Sequence, residues 1–438
     1  MKKVLFTATV DSHILQFHLP YIEWFKEQGY EVHVASSGAS RIEGIDKKYN
    51  VPFSRQPLKM ESWEAYKVLR VLLENNDYDI IHCHTPMGAM LTRLAARNLR
   101  GKELKVLYTA HGFHFFKGAP LKNWMIYYPI EKMMSRYTDC LITMNQEDRI
   151  AAQSHHFKAG KITYVNGVGV DLNKFSTPRA AEKTALRKKY GFSDDAFLLI
   201  YVAELTHRKN QGMLINVVKQ LKYAIPELEL LLVGTGELEQ TYKQAVEETG
   251  LTEKVHFLGY RKDVPQLMKL SDVAVSSSRQ EGLPVNIMEA MATGLPLIAT
   301  DCRGNRDLVT YNMNGFIVPI DDVKKFAYKV VVLYEKGELT KRFSSRSQQL
   351  VKRYSLTSIQ KEMTTIYKEY VEILPPEKKE NKRSKSAEQS ESIAAFVGTI
   401  PKTSPQPLYL PLPNNTHNKY PSSSINTPSK YSQTKKDR

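Results

Sequence analysis

Glu281 and Glu289 stand eight positions apart in the stretch EGLPVNIMEAMATG. The run DVAVSSS ahead of them reads as a strand, RQEG as the loop at its carboxyl end, and Pro284 suits the first turn of a following helix, where its missing N–H has no intrahelical partner to lose. Glu281 is expected to project from the loop and Glu289 to lie more than a turn along the helix. A carboxylate only accepts hydrogen bonds, and its two oxygens can take both hydroxyls of a ribose or sugar diol. The helix start adds unpaired N–H groups and a partial positive charge, which suit a phosphate. Two carboxylates flanking a phosphate site describe a receptor for a sugar nucleotide. The plainer reading, a solvated loop residue and a helix-face residue, loses ground to context: AMATGLP follows at once, then the strand PLIAT, a tight return at a cleft edge.

Other constellations carry less. Asp77 and Asp79 have the spacing of a metal-binding carboxylate pair, but they precede a strand, whereas such a pair belongs at a strand's carboxyl end. His82 and His84 share one strand face, and His111 and His114 follow the next strand. A zinc site there would lack a Cys or acidic partner, so packing or acceptor binding is the simpler expectation. His155 and His156 read as a loop pair. VGTGELE has a Gly-x-Gly turn without the third glycine of a dinucleotide site. No metal and no cofactor are expected.

The elements that must position these residues alternate along the chain. Strand-like runs KKVLFTATV, EVHVASS, DIIHCH, KVLYTAHG, DCLITMN and KITYVNGVGV are separated by amphipathic stretches such as HLPYIEWFKEQG. The pattern restarts after AAEKTALRKKYGFSDD with AFLLIYVAEL, LELLLVGTG, KVHFLGY, DVAVSSS and LPLIATD. Continuous apolar strands between helices indicate parallel sheets covered on both faces. The expected architecture is α/β, with two doubly wound Rossmann-like domains facing a cleft: residues 1–175 on the acceptor side, 190–354 for the nucleotide-sugar, and a helix near 355–373 packing back on the first. At 438 residues the chain exceeds what one core organises. From 375 to 438 it turns rich in Pro, Ser, Thr and Asn and poor in branched apolar residues, so disorder is expected there. PQPLYLPLP in that tail has the pattern of a polyproline ligand, against the simpler reading of a passive tail.

The net charge of +16 is shared: the tail holds eleven Lys and Arg against five Asp and Glu, and no RNA-binding or zinc-finger pattern accompanies it. Nucleic acid is not an expected partner; anionic lipid and phosphate-bearing substrates both fit. The opening MKKVLFTATVDSH reads as a first strand, because Asp11 interrupts the apolar run and no small-residue cleavage pattern follows. No run of about 18 apolar residues predicts a membrane span. Cys83, Cys140 and Cys302 lie in or beside apolar runs, as buried reduced thiols of a cytoplasmic protein would.

In order, the TAHG stretch, NGVGVD, AELTHRKN, LLVGTGELE, HFLGYRKDVPQLM and EGLPVNIMEAMATGLPLIATD make residues 1 to about 373 resemble the retaining glycosyltransferases of family 4, which have the GT-B fold. The AELxxxKN form, TPMGA and TAHGFHFFKGAP look most like bacterial exopolysaccharide and capsule transferases of the EpsD type. The resemblance implies that Glu289 binds the nucleotide ribose and Glu281 the donor sugar. It places Lys209 on the diphosphate and His111 beside the donor sugar. Gly234 and Gly236 match the turn that admits the nucleotide, Tyr260 and Arg261 the segment that receives the base, and Gly282, Leu283 and Val285 the phosphate-side backbone. The chain departs from the family at Ala203 and Glu204, where Gly-Arg is common, and Arg208 is the stand-in for that arginine. It departs again at TATVDS, Thr7 to Ser12, which lacks the glycine-rich loop and leaves Asp11, Ser12 or His13 as acceptor contacts.

The implied reaction is metal-independent transfer with retention, by same-face attack as the UDP diphosphate departs against Lys209. A covalent route through Glu281 is the less favoured alternative. For the acceptor, FHFFKGAPLKNWMIYYPIEKMMSRYTD reads either as a core helix or as a helix resting on the cytoplasmic membrane face, with Lys117, Lys122 and Lys132 toward anionic lipid. The second reading implies a polyprenyl-diphosphate-linked glycan and peripheral attachment at the inner face. UDP-N-acetylhexosamine is the first expectation for the donor and UDP-hexose the second. A UDP-sugar epimerase of the same architecture and a noncatalytic lipid- or nucleic-acid-binding protein are the rivals.

Overall fold

The computed structural model describes residues 1–54, 60–100 and 103–371, which fall in one compact unit. The tail expected from 375 onward lies outside the described residues. Seven parallel strands form the first sheet: β1 (Lys3–Val10), β2 (Glu31–Ser37), β3 (Lys47–Asn50), β4 (Ile80–His84), β5 (Lys105–Ala110), β6 (Cys140–Thr143) and β7 (Lys161–Tyr164), in the order β3-β2-β1-β4-β5-β6-β7. Six form the second: β8 (Phe197–Val202), β9 (Leu228–Val233), β10 (Val255–Gly259), β11 (Val273–Ser276), β12 (Leu297–Thr300) and β13 (Gly315–Val318), in the order β10-β9-β8-β11-β12-β13.

Side chains alternate across each strand, and here both faces are covered. Val4 and Phe6 of β1 pack under the helix Leu19–Glu27, whereas Leu5 joins Leu69 and Leu91 in the opposite layer. In β8, Leu199 and Tyr201 enter one layer and Leu198 and Ile200 the other. Near-continuous apolar runs are thereby satisfied, which explains why they are legible as buried parallel strands. The helix Leu356–Lys368 returns to the first domain, where Ile359, Met363 and Tyr367 enter the same layer as Ile22 and Phe25. Its start is capped by Ser355, whose side chain accepts from Ser358 N–H at 3.1 Å. The outgoing and returning chains meet at the crossing, where Val170 N–H donates to Tyr354 O and Leu356 N–H to Val170 O.

Several boundaries differ from expectation. β1 continues to Val10 and Asp11 opens a helix, Asp11–Phe17, so no loop exists at TATVDS. KITYVNGVGV is a strand only to Tyr164. The helix Ala180–Tyr190, ahead of the expected start at 190, packs on the second domain's helix Val264–Leu270: Arg187 donates to Leu270 O and pairs with Asp272 at 2.7 Å. Pro284 immediately precedes the helix Val285–Thr293 rather than opening it.

Candidate active site

The carboxyl ends of both sheets face each other across a cavity of about 670 Å³. Phe116, Lys117, Gly118 and Pro120 line it from the first domain, and Glu204, Arg208, Glu237, Arg279 and Arg303 are among those lining it from the second. Ligands of doubly wound sheets sit at such strand ends. Among the described residues no helix is long and apolar enough to cross a membrane.

Beyond the end of β11, Lys209 Nζ donates to Glu281 Oε1, and Ser278 Oγ donates to the same oxygen at 2.5 Å. Ser278 Oγ also hydrogen-bonds the hydroxyl of Tyr201, a residue of β8, at 2.6 Å. Ser277 Oγ donates to Lys209 O, fixing the lysine's backbone against the end of β11. Glu281 is therefore buried with Oε1 committed, and Oε2 is left 3.5 Å from Arg208. Arg208 is half exposed and donates to Gln280 O at 3.2 Å, so the stand-in arginine does border the cavity. Glu204 lines the same space, which places an acid where the family has arginine.

Gly282 is a point of contact between the domains. A Cβ there would lie 2.0 Å from His111 O, so only glycine lets the two backbones meet. Gly234 and Gly236 answer to a similar constraint within the second domain, since a Cβ on either would overlap Ala203 O or Leu205 O. Leu283 packs toward Gly167 of the crossing segment, and Val285 begins its helix. Asn286 Nδ2 ties that helix to β8 through Val202 O at 2.9 Å. Tyr260 is exposed, while the Arg261 guanidinium is forked onto Asp263 at 2.8 and 2.6 Å.

Glu289 differs from Glu281. Its carboxylate accepts no hydrogen bond among the described residues, and burial pushes it up to about 7, only partly countered by Lys174. An unpartnered acceptor of this kind is what a ribose diol would fill. Its folded-state value lies above the ordinary 4.5, so the folded state holds the extra proton between those limits. Stability from this site is full below pH 4.5 and is lost as pH rises through 7. Glu289→Gln is expected to flatten that slope and raise stability at pH 8 by up to roughly 3 kcal/mol. Urea midpoints at pH 5 and pH 8 check it, and an unchanged slope would remove the ionisation argument.

The structure gives these residues the following surroundings. Asp11's buried carboxylate is committed within the first domain, accepting from Ser36 Oγ, Ser40 N–H and Lys48 Nζ at 2.6, 2.9 and 2.5 Å. Burial alone would raise its pKa, but those donors hold it below the ordinary value. His111 turns its imidazole to His13, with the two Nε2 atoms 3.1 Å apart. The histidines do not stay in the pairs read along the chain. His84 and His111 gather with His13 and His18, one ring nitrogen of each lying within 4.8 Å of the others. His82 instead bonds Tyr367 Oη and Thr109 Oγ1 at 2.8 Å each, and His114 stacks on Tyr127. Burial depresses the pKa of His13 to about 4 and of His82 to about 3, and holds His18, His84 and His111 well below the usual range. Ser12 is exposed at the helix start, and Lys117 lies on the cavity wall.

Arg303 and Asp148 escaped sequence reading. Arg303 reaches from the second domain to pair with Asp148 of the first at 2.6 Å, donates to Phe113 O and Glu281 O, and lies 4.8 Å from the Phe116 ring centre. Asp148 is held by Phe113 N–H and Asn145 Nδ2. The signal was present in MNQED, where Asn145 caps a helix and accepts from Asp148 N–H.

Residues 182–350 match the family model described as glycosyl transferases group 1, and residues 3–145 the one described as glycosyl transferase 4-like. A Bacillus subtilis (strain 168) protein, provisionally named glycosyltransferase EpsD, is 44% identical over 377 residues, spanning 86% of this chain and 99% of its own. The Escherichia coli UDP-Gal:alpha-D-GlcNAc-diphosphoundecaprenol alpha-1,3-galactosyltransferase is 33% identical over 265 residues, spanning 59% of this chain and 67% of its own. Anabaena HepE in complex with UDP-glucose superposes with a TM-score of 0.69 at 20% identity, covering 84% of this chain and 100% of that one. That structural likeness establishes the GT-B arrangement of the two sheets.

Proposed function

The chain belongs to the GT-B glycosyltransferases of the group 1, family 4-like kind, and from that membership we propose that it moves an N-acetylhexosamine from its UDP-sugar to a lipid-linked glycan, with retention, in exopolysaccharide or capsule assembly. The observation that carries the reading is the Lys209–Glu281–Ser278–Tyr201 chain, set where the second domain's Gly282 meets His111 of the first. Lys209 supplies positive charge to the departing diphosphate without a metal ion, and Arg208 adds to it from the rim. Glu281 turns its freer oxygen to the donor sugar, Glu289 takes the ribose, and the His111 imidazole positions the sugar. The leaving phosphate accepts the acceptor's proton.

The acceptor assignment draws on the Escherichia coli relative, whose name specifies a diphosphoundecaprenol substrate. It also draws on the helix Leu121–Met134, where Leu121, Met125, Ile126 and Met133 are exposed beside Lys122. Apolar side chains next to lysines suit the interface of an anionic membrane, giving peripheral attachment at the inner face. Replacing Leu121 and Met125 together by Asp is expected to cut co-sedimentation with anionic vesicles severalfold. Undiminished sedimentation would detach this helix from the membrane reading.

A donor panel tests the function itself: full-length protein, several UDP- and GDP-sugars and a membrane lipid extract, with chelator present, reading nucleotide release and labelled lipid. Lipid-linked product from one UDP-sugar, lost in Glu281→Ala, is the expected result. Interconversion of the donor with no lipid labelled would move the protein to the epimerases.

A further inference from the structure

Four elements of the first domain converge on one point. His13 lies on the helix Asp11–Phe17, His18 at the junction with the next helix, His84 is the last residue of β4, and His111 follows β5. His18 and His84 stack with ring centres 3.7 Å apart, and both nitrogens of each are buried without a hydrogen-bond partner among the described residues. A neutral imidazole carries one donor and one acceptor, so burial normally brings a partner for each. Here several are missing at once, and at the same place.

We propose that His13, His18, His84 and His111 form a binding site for one borderline divalent cation, of which Zn²⁺ is the type. Neutral imidazole is a preferred ligand for zinc, copper and nickel. In a tetrahedron of nitrogens about 2.05 Å from zinc, neighbouring ligand atoms lie roughly 3.3 Å apart. The His13 and His111 Nε2 atoms are already 3.1 Å apart, and one ring nitrogen from each of the four lies within 4.8 Å of the others, so small rotations of the remaining rings would close the set. The cluster sits at the carboxyl ends of β4 and β5, beside the helix Asp11–Phe17. A cavity of about 10 Å³ beside His18, His82 and His84 offers the competing occupant, a single water.

The ion would engage the lone pair of His111, and so, on the reading of His111 given above, it acts as an inhibitor of transfer rather than a partner of the diphosphate. The binding claim stands on the four side chains alone.

The test uses the full-length protein freed of metal by chelator and titrated with Co²⁺, whose intense visible bands report four-coordinate nitrogen ligation. One equivalent with those bands, displaced by Zn²⁺ and lost in both His18→Phe and His13→Ala, is expected. His18→Phe keeps a ring in the stack, and His13 is only partly buried, so one variant covers a folding failure of the other. No uptake, or bands unchanged in both variants, overturns the site and leaves the water. Zinc uptake at the site without loss of transfer keeps the site and removes His111 from the reaction.

Discussion

Lys209→Ala is expected to lower kcat by about 10²–10³-fold and to lower stability too, because it leaves the buried Glu281 carboxylate without its lysine. Three of the cations lining the cavity are spent elsewhere, and Lys117 stands on the first-domain wall. Arg279 is bound to Asp321 and Asn210, Arg306 to Asp301 and Glu147, and Arg303 to Asp148. Arg208 reaches the cavity but is half exposed, where water screens its charge. Lys209 is mostly buried and aimed by Glu281, so its charge acts in a medium that magnifies it and costs no reorganisation when the leaving group departs. Single-turnover release of UDP measures the effect apart from product release. A Lys209→Ala enzyme with unchanged kcat would show that Lys209 serves only to hold Glu281. Arg208→Ala should cost less, for the same reason of exposure.

Breaking the pair between the domains is expected to have the largest effect on stability. Arg303 and Asp148 are both buried, and removing one partner leaves the other's charge in a site closed to bulk solvent. Such losses run to about 3–5 kcal/mol. Arg303→Met also removes the donors to Phe113 O and Glu281 O, so the contact at Gly282 loses its neighbouring fastener. Urea unfolding should show a lowered midpoint and a transition that splits, because the domains unfold less as one. The double replacement Arg303→Met with Asp148→Leu should recover part of the loss, since paired removal leaves no lone charge. An Arg303→Met chain with the wild-type midpoint and a single transition would refute the latch.

The elements legible in advance were those buried on both faces. β1, β4, β8 and β9 read as strands because both residue sets of each strand point into apolar layers. β3 (KKYN) and β13 (GFIV) were not recognised: each is four residues at a sheet edge, and β3 is polar and largely exposed. Edge strands draw their stability from one neighbour's backbone, which leaves little trace in side-chain pattern. The site divides along the same line. Glu281, Lys209 and Arg208 lie near one another as the motifs implied, whereas the bonds that commit Asp11 could not be read, because Ser36 and Lys48 come from later strands.

By itself, then, the sequence determined two doubly wound sheets, their order, and the strand-end loops that carry carboxylates and a lysine, because periodicity and turn chemistry act over a few neighbouring residues. Tertiary structure decided which groups remained available. It committed one oxygen of Glu281 and left Glu289 without a partner, turned His111 to His13, and joined Arg303 to Asp148 across 155 positions of chain. Hydrogen bonds and burial in these cases depend on atoms brought together from distant elements, and no local pattern encodes such encounters.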